Sequence, residues 1–471
     1  MPSTSNPAGA FAQLALQPQL LSNLATLGYH EMTPIQAQSL PLILAGKDVI
    51  GQGKTGSGKT AAFGLGLLNK LDIKLFRIQA LVLCPTRELA DQVAREIRRL
   101  ARAVHNIKVL TLCGGTPFGP QLGSLEHGAH IIVGTPGRIE EHLRKGSLKL
   151  NDVNTLVLDE ADRMLSMGFQ DSLDAIVAGI PNDRQSLMFS ATYPQAIASM
   201  AERIMRDPGL VQLAEANDTN DITQHFYCVA DDAARAEATA VLLLKYQPAS
   251  ALVFCNTRQE TANVANGLHQ RGFSALALHG DMEQKARDQT LLRFANRSIS
   301  VLVATDVAAR GIDIDALDLV INYQLARDPE VHVHRVGRTG RAGSSGRACS
   351  LFTQAEARRL DALQMYIDSS IKPEPLPDKN TLAASCLQAE MVTLQIDGGK
   401  KQKLRAGDIL GALTSKEGPA GNAITGSDVG KIVLHDIRAY VAVKRQVAQS
   451  ALQKIQRGKM KGRNFKVRQL R

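Results

Sequence analysis

Residues 53–60 read GKTGSGKT, a glycine-rich run that ends in Lys59 and Thr60. A short apolar stretch, Asp48 to Ile50, precedes this run, and a helical pattern begins at Ala61. A glycine loop between a strand and a helix is typical of phosphate binding, because backbone N–H groups converge on phosphate oxygens and the helix N-terminus adds partial positive charge. In that setting Lys59 would neutralise the β- and γ-phosphates and Thr60 would bind magnesium. The run therefore predicts a nucleotide site rather than an ordinary flexible turn.

Short apolar runs alternate with helical patterns up to residue 352. Helical periodicity is clear at Asp91 to Ala101 and at Gln284 to Phe294. This alternation predicts an α/β fold with doubly wound parallel sheets. The predicted strands fall into two sets, Ala80 to Cys84, Val109 to Leu112, Ile131 to Val133, Thr155 to Leu158 and Leu187 to Phe189, then Leu252 to Cys255, Ala275 to Leu278, Val301 to Ala304 and Leu319 to Ile321.

Two stretches without periodicity divide the chain, whose length suits about three domains. The polar stretch Ala214 to Thr223 separates the two sets of strands. Ser369 to Ser385 contains three prolines within five residues, which indicates a semi-extended tether to a third domain. The expected boundaries are a first lobe at 1–215, a second lobe at 216–372, a linker at 373–389 and a C-terminal domain at 390–471.

An acidic quartet, Asp159-Glu160-Ala161-Asp162, directly follows the predicted strand Thr155 to Leu158. Ligands of such sheets bind beyond the carboxyl ends of the strands. Asp159 would hold magnesium through water, and Glu160 would orient and polarise an attacking water. The quartet alone would also suit a solvated turn, but together with Lys59 it predicts hydrolysis of the bound nucleotide.

Further motifs stand where other predicted strands end, and the last of them is rich in arginine. Planar cationic side chains that reach a γ-phosphate would stabilise charge on the transferring phosphoryl group. Any single arginine there would equally suit a salt-bridged surface loop, whereas the set indicates catalysis. The motifs are Pro85 to Leu89, Thr135 to Arg138, Ser190 to Thr192, Ala304 to Asp313 and His334 to Arg341.

Taken together, these residues resemble the DEAD-box RNA helicase family, whose motifs occur in order from Phe11 to Phe352. The resemblance implies two RecA-like lobes that use ATP and Mg²⁺, bind RNA and close on both ligands. One departure is Gly53, where the family usually has Ala, a change between small residues that leaves nucleotide binding intact. The residues that the resemblance places in catalysis are Lys59, Glu160, Arg338 and Arg341.

The same resemblance implies the other site residues. Phe11 would stack on the adenine ring, and Gln36 would recognise its edge. The implied nucleotide contacts are Phe11, Thr33, Gln36, Gly53, Lys54, Thr55, Gly56, Ser57, Gly58, Lys59, Thr60 and Asp313. The implied RNA contacts are Pro85, Thr86, Arg87, Gly114, Gly115, Thr135, Gly137, Arg138, Gln284, Arg287 and Thr305. The residues expected to couple hydrolysis to closure are Asp162, Ser190, Thr192 and His334.

The net positive charge of the chain is concentrated at its C-terminus. Residues 386–471 contain 17 Lys and Arg against 6 Asp and Glu, a net charge of +11, whereas residues 1–385 carry −1. A solvated charged face would give the same count, but a basic block joined to a neutral enzyme is typical of a surface that binds a polyanion.

The pattern of this basic segment predicts an α+β domain of RNA-recognition-motif type, with the order βαββαβ. Its only aromatic residues are Tyr440 and Phe465, so RNA recognition should depend on lysines such as Lys400 and Lys401 and on RNA shape rather than on stacking. The predicted elements are strand Val392 to Ile396, helix Asp408 to Leu413, strand Lys431 to His435, strand Tyr440 to Val443, helix Val447 to Gln456 and strand Phe465 to Val467.

The segment also resembles the RNA-binding domain of certain bacterial DEAD-box helicases. That resemblance implies a structured hairpin of 23S ribosomal RNA in the pre-50S particle as the partner and assembly of the large subunit as the role. Charge and spacing alone would suit another RNA equally, which makes a general RNA-remodelling helicase the alternative.

Composition favours a cytoplasmic enzyme. Hydrophobic residues make up 44% of the chain, and no apolar run is long enough to span a bilayer. Met1 to Leu27 contains no charged residue, so no secretory signal is expected. The six cysteines form no CxxC pair and are expected to be reduced. We expect a monomer without membrane contact.

Two other classes of protein remain open from the residues alone. A different P-loop ATPase, such as a DNA translocase or a nucleotide kinase, would keep Lys59 without requiring Gln36, Arg338 and Arg341 together. An RNA clamp without turnover would lack a catalytic residue, and none of those expected is missing.

Overall fold

The computed structural model describes residues 11–53, 56–212, 222–309, 317–340, 346–378, 386, 388–415 and 424–470. The described chain forms two compact units, one that ends at Gln212 and one that begins at Ile222. The predicted site residues Lys54, Thr55, Asp313 and Arg341 lie outside the described ranges.

The first unit is a lobe built on one sheet. The strands among its described residues are β1 (Val49–Gln52), β2 (Ala80–Leu83), β3 (Val109–Leu112), β4 (Ile131–Gly134), β5 (Thr155–Asp159), β6 (Gln185–Ser190) and β7 (Gly209–Gln212). They pair in the order β3-β4-β2-β5-β6-β1-β7, and every neighbouring pair is parallel. Parallel neighbours require crossover connections, and helices provide them.

The helices of this lobe follow the strands in the manner of a doubly wound fold. They are α1 (Pro18–Thr26), α2 (Pro34–Leu44), α3 (Lys59–Lys70), α4 (Arg87–Leu100), α5 (Phe118–Glu126), α6 (Pro136–Arg144), α7 (Ala161–Ser166), α8 (Gln170–Ala178) and α9 (Gln195–Ile204). Val82 and Val133 face one apolar core, whereas Leu81 and Ile132, one position away, face the other. Because both faces are buried, the strands read as continuous apolar runs.

The second unit begins with another lobe on a parallel sheet. Its described strands are β8 (Ile222–Cys228), β9 (Ala251–Cys255), β10 (Ala275–Leu278), β11 (Val301–Thr305), β12 (Leu319–Asn322) and β13 (Gly346–Phe352), in the order β10-β11-β9-β12-β13-β8. The helices are α10 (Asp232–Tyr246), α11 (Arg258–Gln270), α12 (Gln284–Ala295), α13 (Asp306–Ala309), α14 (Pro329–Val336) and α15 (Ala357–Ile367). The two predicted lobes are thus confirmed.

All the predicted strands of both lobes are present, each within two residues of its predicted ends. Strands β7, β8 and β13 were not predicted. The predicted linker Ala214 to Thr223 is wrong at its end, because Ile222 and Thr223 pair with Gly346 and Arg347 in the ladder between β8 and β13. Residues 214–221 of that linker lie outside the described ranges.

The C-terminal domain has the predicted order βαββαβ. Its elements are β14 (Met391–Ile396), α16 (Ala406–Thr414), β15 (Val429–Leu434), β16 (Ala439–Lys444), α17 (Ala448–Arg457) and β17 (Val467–Gln469). The strands pair antiparallel in the order β15-β16-β14-β17. The last predicted strand is misplaced, since β17 begins at Val467 and Phe465 packs into the core of the domain, where its ring closes over Gly398.

The C-terminal sheet is docked against the second lobe. Thr393 is fully buried, and its hydroxyl lies 2.6 Å from that of Ser298 and accepts a bond from Nδ2 of Asn296 at 3.2 Å. The backbone N–H of Met391 donates to the carbonyl oxygen of Arg297 at 3.3 Å. One face of β14, opposite the domain core, is therefore covered by protein.

The predicted tether is only partly a free connection. The backbone N–H of Glu374 donates to the carbonyl oxygen of Phe226 in β8 at 2.7 Å, and the Glu374 carboxylate contacts His225 at 2.8 Å. This part of the stretch Ser369 to Ser385 therefore lies along the sheet of the second lobe. Residues 379–385 lie outside the described ranges.

The six cysteines are unpaired, and four of them are buried. Burial raises the pKa of the Cys113 thiol to about 12, which keeps that side chain protonated. The expectation of core thiols is confirmed for these four and is wrong for Cys228, which is exposed, and for Cys386, which is half-buried. Among the described helices, none is long and apolar enough to span a membrane.

Candidate functional site

The predicted nucleotide residues of the first lobe meet at the carboxyl ends of three adjacent strands. In the sheet, β1 lies beside β6, and β6 lies beside β5. The phosphate loop leaves β1, the acidic quartet leaves β5, and Ser190 ends β6. The backbone N–H of Gly53 donates to the carbonyl oxygen of Ser190 at 3.0 Å, which ties the start of the loop to its neighbour.

The described part of the phosphate loop has the backbone conformation that its glycines permit. Gly56 and Gly58 have φ of 87° and 95°, in the left-handed region that side chains rarely adopt. Helix α3 begins at Lys59, whose side chain is 7% exposed and donates from Nζ to the carbonyl oxygen of Gly53 at 2.5 Å. The buried ammonium thus lies inside the loop, at the position expected of a phosphate ligand.

A second group of nucleotide candidates packs directly on this loop. Gln36 is 1% exposed, donates from Nε2 to the carbonyl oxygen of Gly58 at 3.1 Å and accepts the backbone N–H of Thr33 at 2.9 Å. A Cβ atom on Gly58 would lie 2.4 Å from Nε2 of Gln36, and the left-handed φ of Gly58 would strain any side chain, so the position favours glycine. Phe11 is also buried, edge-on to Tyr29 at 6.2 Å. The structure therefore connects Gln36 to the phosphate loop, and it places Phe11 in the core of the lobe.

Asp159 and Glu160 occupy the end of β5, and both are buried. Burial raises the pKa of the Asp159 carboxyl to about 7, and the nearby ammonium of Lys59 opposes that shift. Glu160 has a φ of 55°, which is left-handed backbone for a residue with a side chain. Such backbone strain persists only where the surrounding structure fixes it, and it is concentrated at functional sites.

Arg163 fixes the carboxylate of Glu160. Its Nη1 lies 2.8 Å from Oε2 of Glu160, and both side chains are 7% exposed. No sequence motif predicts a role for Arg163. The available signal was its position three residues after Glu160, at the start of a helix, where side chains of that spacing meet.

Asp162 connects the acidic quartet to the motif that follows β6. Its Oδ2 accepts the backbone N–H of Thr192 at 3.1 Å and the Thr192 hydroxyl at 3.0 Å. The hydroxyl of Ser190 is buried without a hydrogen-bond partner. Three of the four predicted coupling residues are therefore together, and one of them has an unused polar atom of the kind that marks a functional site.

The donor set at this site suits a magnesium ion. Mg²⁺ prefers hard oxygen ligands and is usually held by one or two carboxylates together with substrate phosphates. Asp159 supplies a buried carboxylate whose charged form needs a cation, and Thr60 supplies a hydroxyl on the first turn of α3. A bound ion would neutralise phosphate charge there.

The RNA candidates of the first lobe lie at the other half of the same sheet edge, where β2, β3 and β4 end. Thr135 accepts the backbone N–H of Gly114 at 3.3 Å. Both terminal nitrogens of Arg138 donate to the carbonyl oxygen of Thr116 at 3.0 Å, while its Nε lies 3.0 Å from Glu141. The predicted residues thus form one polar surface, with Arg138 held rigidly. The candidates there are Pro85, Thr86, Arg87, Gly114, Gly115, Thr135, Gly137 and Arg138.

In the second lobe, two predicted RNA residues are brought together. Arg287 donates from Nη2 to the carbonyl oxygen of Ala308 at 2.9 Å, and the N–H of Ala308 donates to the Thr305 hydroxyl at 3.4 Å. Gln284 stands at the start of the same helix as Arg287 and donates to Asp288 at 2.8 Å. These residues lie by the carboxyl end of β11.

The arginine motif of the second lobe is anchored by a residue that the sequence analysis did not assign. Arg335 is 2% exposed, with Nε 2.6 Å from Oδ1 of Asp306 and Nη2 2.8 Å from Oδ1 of Asn256. The burial of Arg335 could not be predicted from the sequence, because an arginine is buried only where the tertiary structure supplies its partners. Arg338 follows, and its carbonyl oxygen accepts the N–H of Leu317 at 3.2 Å. The anchor fixes the turn from which Arg338 projects, and His334 precedes it in α14.

Lys400 and Lys401 are exposed on a short 3-10 helix after β14. Their backbone N–H groups donate to the carbonyl oxygens of His435 and Asp436 at 2.9 and 2.8 Å. A Cβ atom on Gly399 would lie 2.1 Å from the carbonyl oxygen of His435, so the close approach requires glycine. The two lysines therefore project from a rigid loop.

The aromatic residues of the C-terminal domain are not available for stacking. Tyr440 is 7% exposed and Phe465 is 8% exposed. With Thr393 covered by the second lobe, the sheet offers no open aromatic platform among the described residues. The expectation of recognition by cations and shape agrees with this geometry.

Comparisons with known proteins show the family to which the chain belongs. Residues 33–200 match the DEAD/DEAH box helicase family, residues 234–343 match the helicase conserved C-terminal domain, and residues 393–469 match the DbpA RNA binding domain. The solved structure of S. cerevisiae Dbp5 bound to RNA and ADP BeF3 aligns with a TM-score of 0.70 at 28% identity, over 79% of this chain and 98% of that chain.

Two relatives show how far the similarity extends. The ATP-dependent RNA helicase DbpA of Escherichia coli strain K12 is 53% identical over 463 residues, which are 98% of this chain and 100% of that protein. The DEAD-box ATP-dependent RNA helicase CshA of Bacillus subtilis strain 168 is 43% identical over 354 residues, 75% of this chain and 72% of that protein. CshA thus matches a shorter part of the chain, whereas DbpA matches nearly all of it. The chain belongs to the DEAD-box family of ATP-dependent RNA helicases, and it carries the DbpA type of RNA-binding domain.

Proposed function

We propose that this helicase acts on a structured hairpin of 23S ribosomal RNA in the pre-50S particle and opens short duplexes there during assembly of the large subunit. The observation that carries the proposal is the C-terminal surface, where Lys400 and Lys401 are exposed while Tyr440 and Phe465 are buried. Cations without a stacking platform favour a folded RNA recognised by its backbone and shape over a single strand. The full-length similarity to the ATP-dependent RNA helicase DbpA of E. coli supports RNA as the substrate.

Energetics limit the proposed unwinding to short helices. Base-pair stacking averages about 1.4 kcal/mol per step in DNA, so ten steps require on the order of 14 kcal/mol. A nanomolar contact supplies about 12 kcal/mol. Each closure on ATP and RNA would therefore melt a local duplex rather than drive long processive unwinding.

For the ATP site, we propose that Lys59 binds the β- and γ-phosphates, that Thr60 and Asp159 hold Mg²⁺, and that Glu160 activates the attacking water. Support comes from the buried Lys59 ammonium and the strained, ion-paired Glu160. Arg338, together with Arg341, would stabilise charge on the γ-phosphate, the role in which an arginine is worth roughly 10³ to 10⁵ in rate.

The predicted boundaries of 1–215, 216–372, 373–389 and 390–471 stand as proposals for domain dissection. We further propose a monomer in the cytoplasm. Sedimentation of the full-length chain with and without RNA tests the oligomeric state, and fractionation of cells tests the location.

The decisive experiment compares ATP turnover by the full-length chain with three nucleic acids of equal length. These are a hairpin from 23S ribosomal RNA, an unrelated RNA hairpin and the ribosomal hairpin made of DNA. The proposal requires half-maximal stimulation at the lowest concentration with the ribosomal hairpin, and no stimulation by DNA. Equal stimulation by both RNAs would overturn ribosomal targeting and support a general RNA-remodelling helicase.

A further inference from the structure

A groove of about 740 Å³ lies between the second lobe and the C-terminal domain. One wall is formed by α11, the edge strand β10 and α12, which contribute His269 and Arg293. The other wall is formed by the start and end of the C-terminal sheet, which contribute Gln388, Arg445 and Gln469. Both walls belong to the same compact unit. The groove is separate from the strand ends that carry the ATP and RNA motifs.

The charged side chains that line the groove are positive. Its lining includes the two arginines Arg293 and Arg445, and no Asp or Glu occurs among the described lining residues. The other polar lining residues include Gln388, Ser298 and His269. A wall of cations without carboxylates favours an anionic occupant.

Arg293 is the group that most requires such an occupant. Its Nε is buried and has no hydrogen-bond partner among the described residues. Burial lowers the pKa of its guanidinium, and no carboxylate opposes that effect. The side chain as a whole is half-buried, and a buried N–H donor without an acceptor is costly, because its lost hydration is not replaced. Elsewhere in this lobe Arg335 is buried with Asp306 and Arg235 with Glu356, so the fold supplies partners where an arginine is only structural.

Arg445 adds a second cation from the opposite wall. Its Nε donates to the carbonyl oxygen of Ala389 at 2.8 Å, which fixes the side chain where β16 ends. Gln388 is fixed as well, by a bond from Nε2 to the carbonyl oxygen of Gly272 at 3.2 Å. The donors on this wall are therefore positioned before any ligand arrives, which lowers the entropic cost of binding.

We propose that this groove binds a phosphate of the RNA backbone, gripped between Arg293 of the second lobe and Arg445 of the C-terminal domain. This inference rests on the proposed function, since the RNA must already be held by the C-terminal domain. Phe273 lines the groove but is only 5% exposed, and the one exposed ring among the described lining residues is the imidazole of His269, so the groove offers two guanidinium groups for a phosphate against a single small ring for a base. It therefore suits a phosphate rather than a base. An RNA strand that crosses it would contact both domains at once.

The test measures the affinity of the full-length chain for the ribosomal hairpin across a range of salt concentrations, with Arg293→Gln compared with Arg358→Gln. Arg358 is an exposed arginine of the same lobe outside the groove, so both variants lose one positive charge. We expect Arg293→Gln to weaken binding roughly tenfold, the effect of one charged hydrogen bond. The slope of log affinity against log salt should fall by about 0.7 to 0.9. Arg358→Gln should change neither quantity.

Two controls make the outcome decisive. Arg445→Gln tests the opposite wall and should reduce the slope in the same way, which matters if Arg293→Gln lowers the melting temperature. Labelled pyrophosphate, measured by equilibrium dialysis, tests free phosphate as the occupant. Pyrophosphate binding that depends on Arg293, with an unchanged RNA slope, would overturn the RNA assignment, as would unchanged RNA binding in both groove variants. Failure of the unmodified chain to bind the hairpin would instead contradict the proposed function.

Discussion

The guanidinium of Arg163 lies 2.8 Å from the carboxylate of Glu160, and the two side chains are equally buried, each 7% exposed. This pair holds Glu160 at the end of β5, in left-handed backbone, one residue beyond Asp159. The general base proposed for the attacking water is thus oriented by a neighbour one helical turn away. A water that must be aligned with a phosphate requires such fixed geometry.

We predict that Arg163→Gln lowers kcat by about 10²-fold, the cost of misplacing a reacting group by about 1 Å. The KM for ATP should change little, because Lys59 and the phosphate loop remain. Steady-state phosphate release checks both constants. Arg203→Gln is the matched control, since Arg203 pairs with Asp174 at 3.4 Å with more than half of its side chain exposed, and it should leave kcat unchanged. A parallel rise in KM with unchanged kcat would show that Arg163 does not position the base.

Lys59→Ala and Glu160→Gln should both stop turnover, but for different reasons. Lys59→Ala removes the ammonium that lies inside the phosphate loop, so a fluorescent ATP analogue should no longer bind. Glu160→Gln should bind the analogue normally and lose at least about 10²-fold in phosphate release, the lower end of general-base effects. Normal turnover in either variant would contradict the assignment.

The stability of the second lobe should depend on pH through His332. This side chain is 2% exposed, its Nε2 lies 3.2 Å from the amide oxygen of Gln224, and burial followed by the charge of Arg335 lowers its pKa to about 4. Above pH 6.5 the histidine is neutral in both the folded and unfolded chains. As the pH falls from 6.5 towards 4, only the unfolded chain gains the proton, so the free energy of unfolding decreases.

Urea denaturation at pH 7.5 and pH 5 checks this expectation. The loss of stability on acidification should be smaller in His332→Gln, which cannot take up the proton, than in the unmodified chain. His269→Gln, an exposed histidine of the same lobe, should behave like the unmodified chain. An unchanged pH dependence in His332→Gln would show that His332 does not cause the loss of stability.

Removing the two exposed lysines of the C-terminal domain should weaken targeting and leave the chemistry intact. In Lys400→Gln with Lys401→Gln, the slope of log affinity against log salt should fall by roughly 0.7 to 0.9 for each RNA phosphate that the variant no longer neutralises. ATP turnover at saturating RNA should be unchanged, because the phosphate loop and acidic quartet are untouched. The double variant Lys47→Gln with Lys74→Gln, two exposed lysines of the first lobe, serves as the charge-matched control. Equal slopes in the two double variants would argue against these lysines as RNA ligands.

Sequence patterns predicted the buried strands of both lobes well, because a strand covered on both faces is apolar throughout. They missed the edge strand β8, which reads ITQHFYC, since the three consecutive polar residues from Thr223 to His225 make its first half resemble a loop. They also missed β13, where Gly346 and Arg347 interrupt the apolar pattern. In both cases pairing in the sheet, rather than local composition, decides the structure.

The functional site likewise contains some residues that the sequence predicts and others that it does not. The phosphate loop and acidic quartet were predictable, because chemistry requires those residue types at fixed spacing. Arg163 and Arg335 were not predictable, because an isolated arginine in a sequence is usually solvent-exposed. Only their partners in the tertiary structure show that both are buried. The groove lined by Arg293 and Arg445 could not be predicted from the sequence either, since its two cations are 152 positions apart along the chain.

The bonds from Thr393 to Ser298 and Asn296 have a consequence for how RNA reaches the enzyme. A binding domain on a flexible linker raises the local concentration of its bound RNA within the reach of the linker. That concentration falls as the linker becomes longer. A domain mounted on the second lobe would instead hold a bound RNA at a fixed distance and angle to that lobe. If the proposed hairpin is the RNA held there, the duplex that the enzyme opens would be determined by its distance from the hairpin along the RNA.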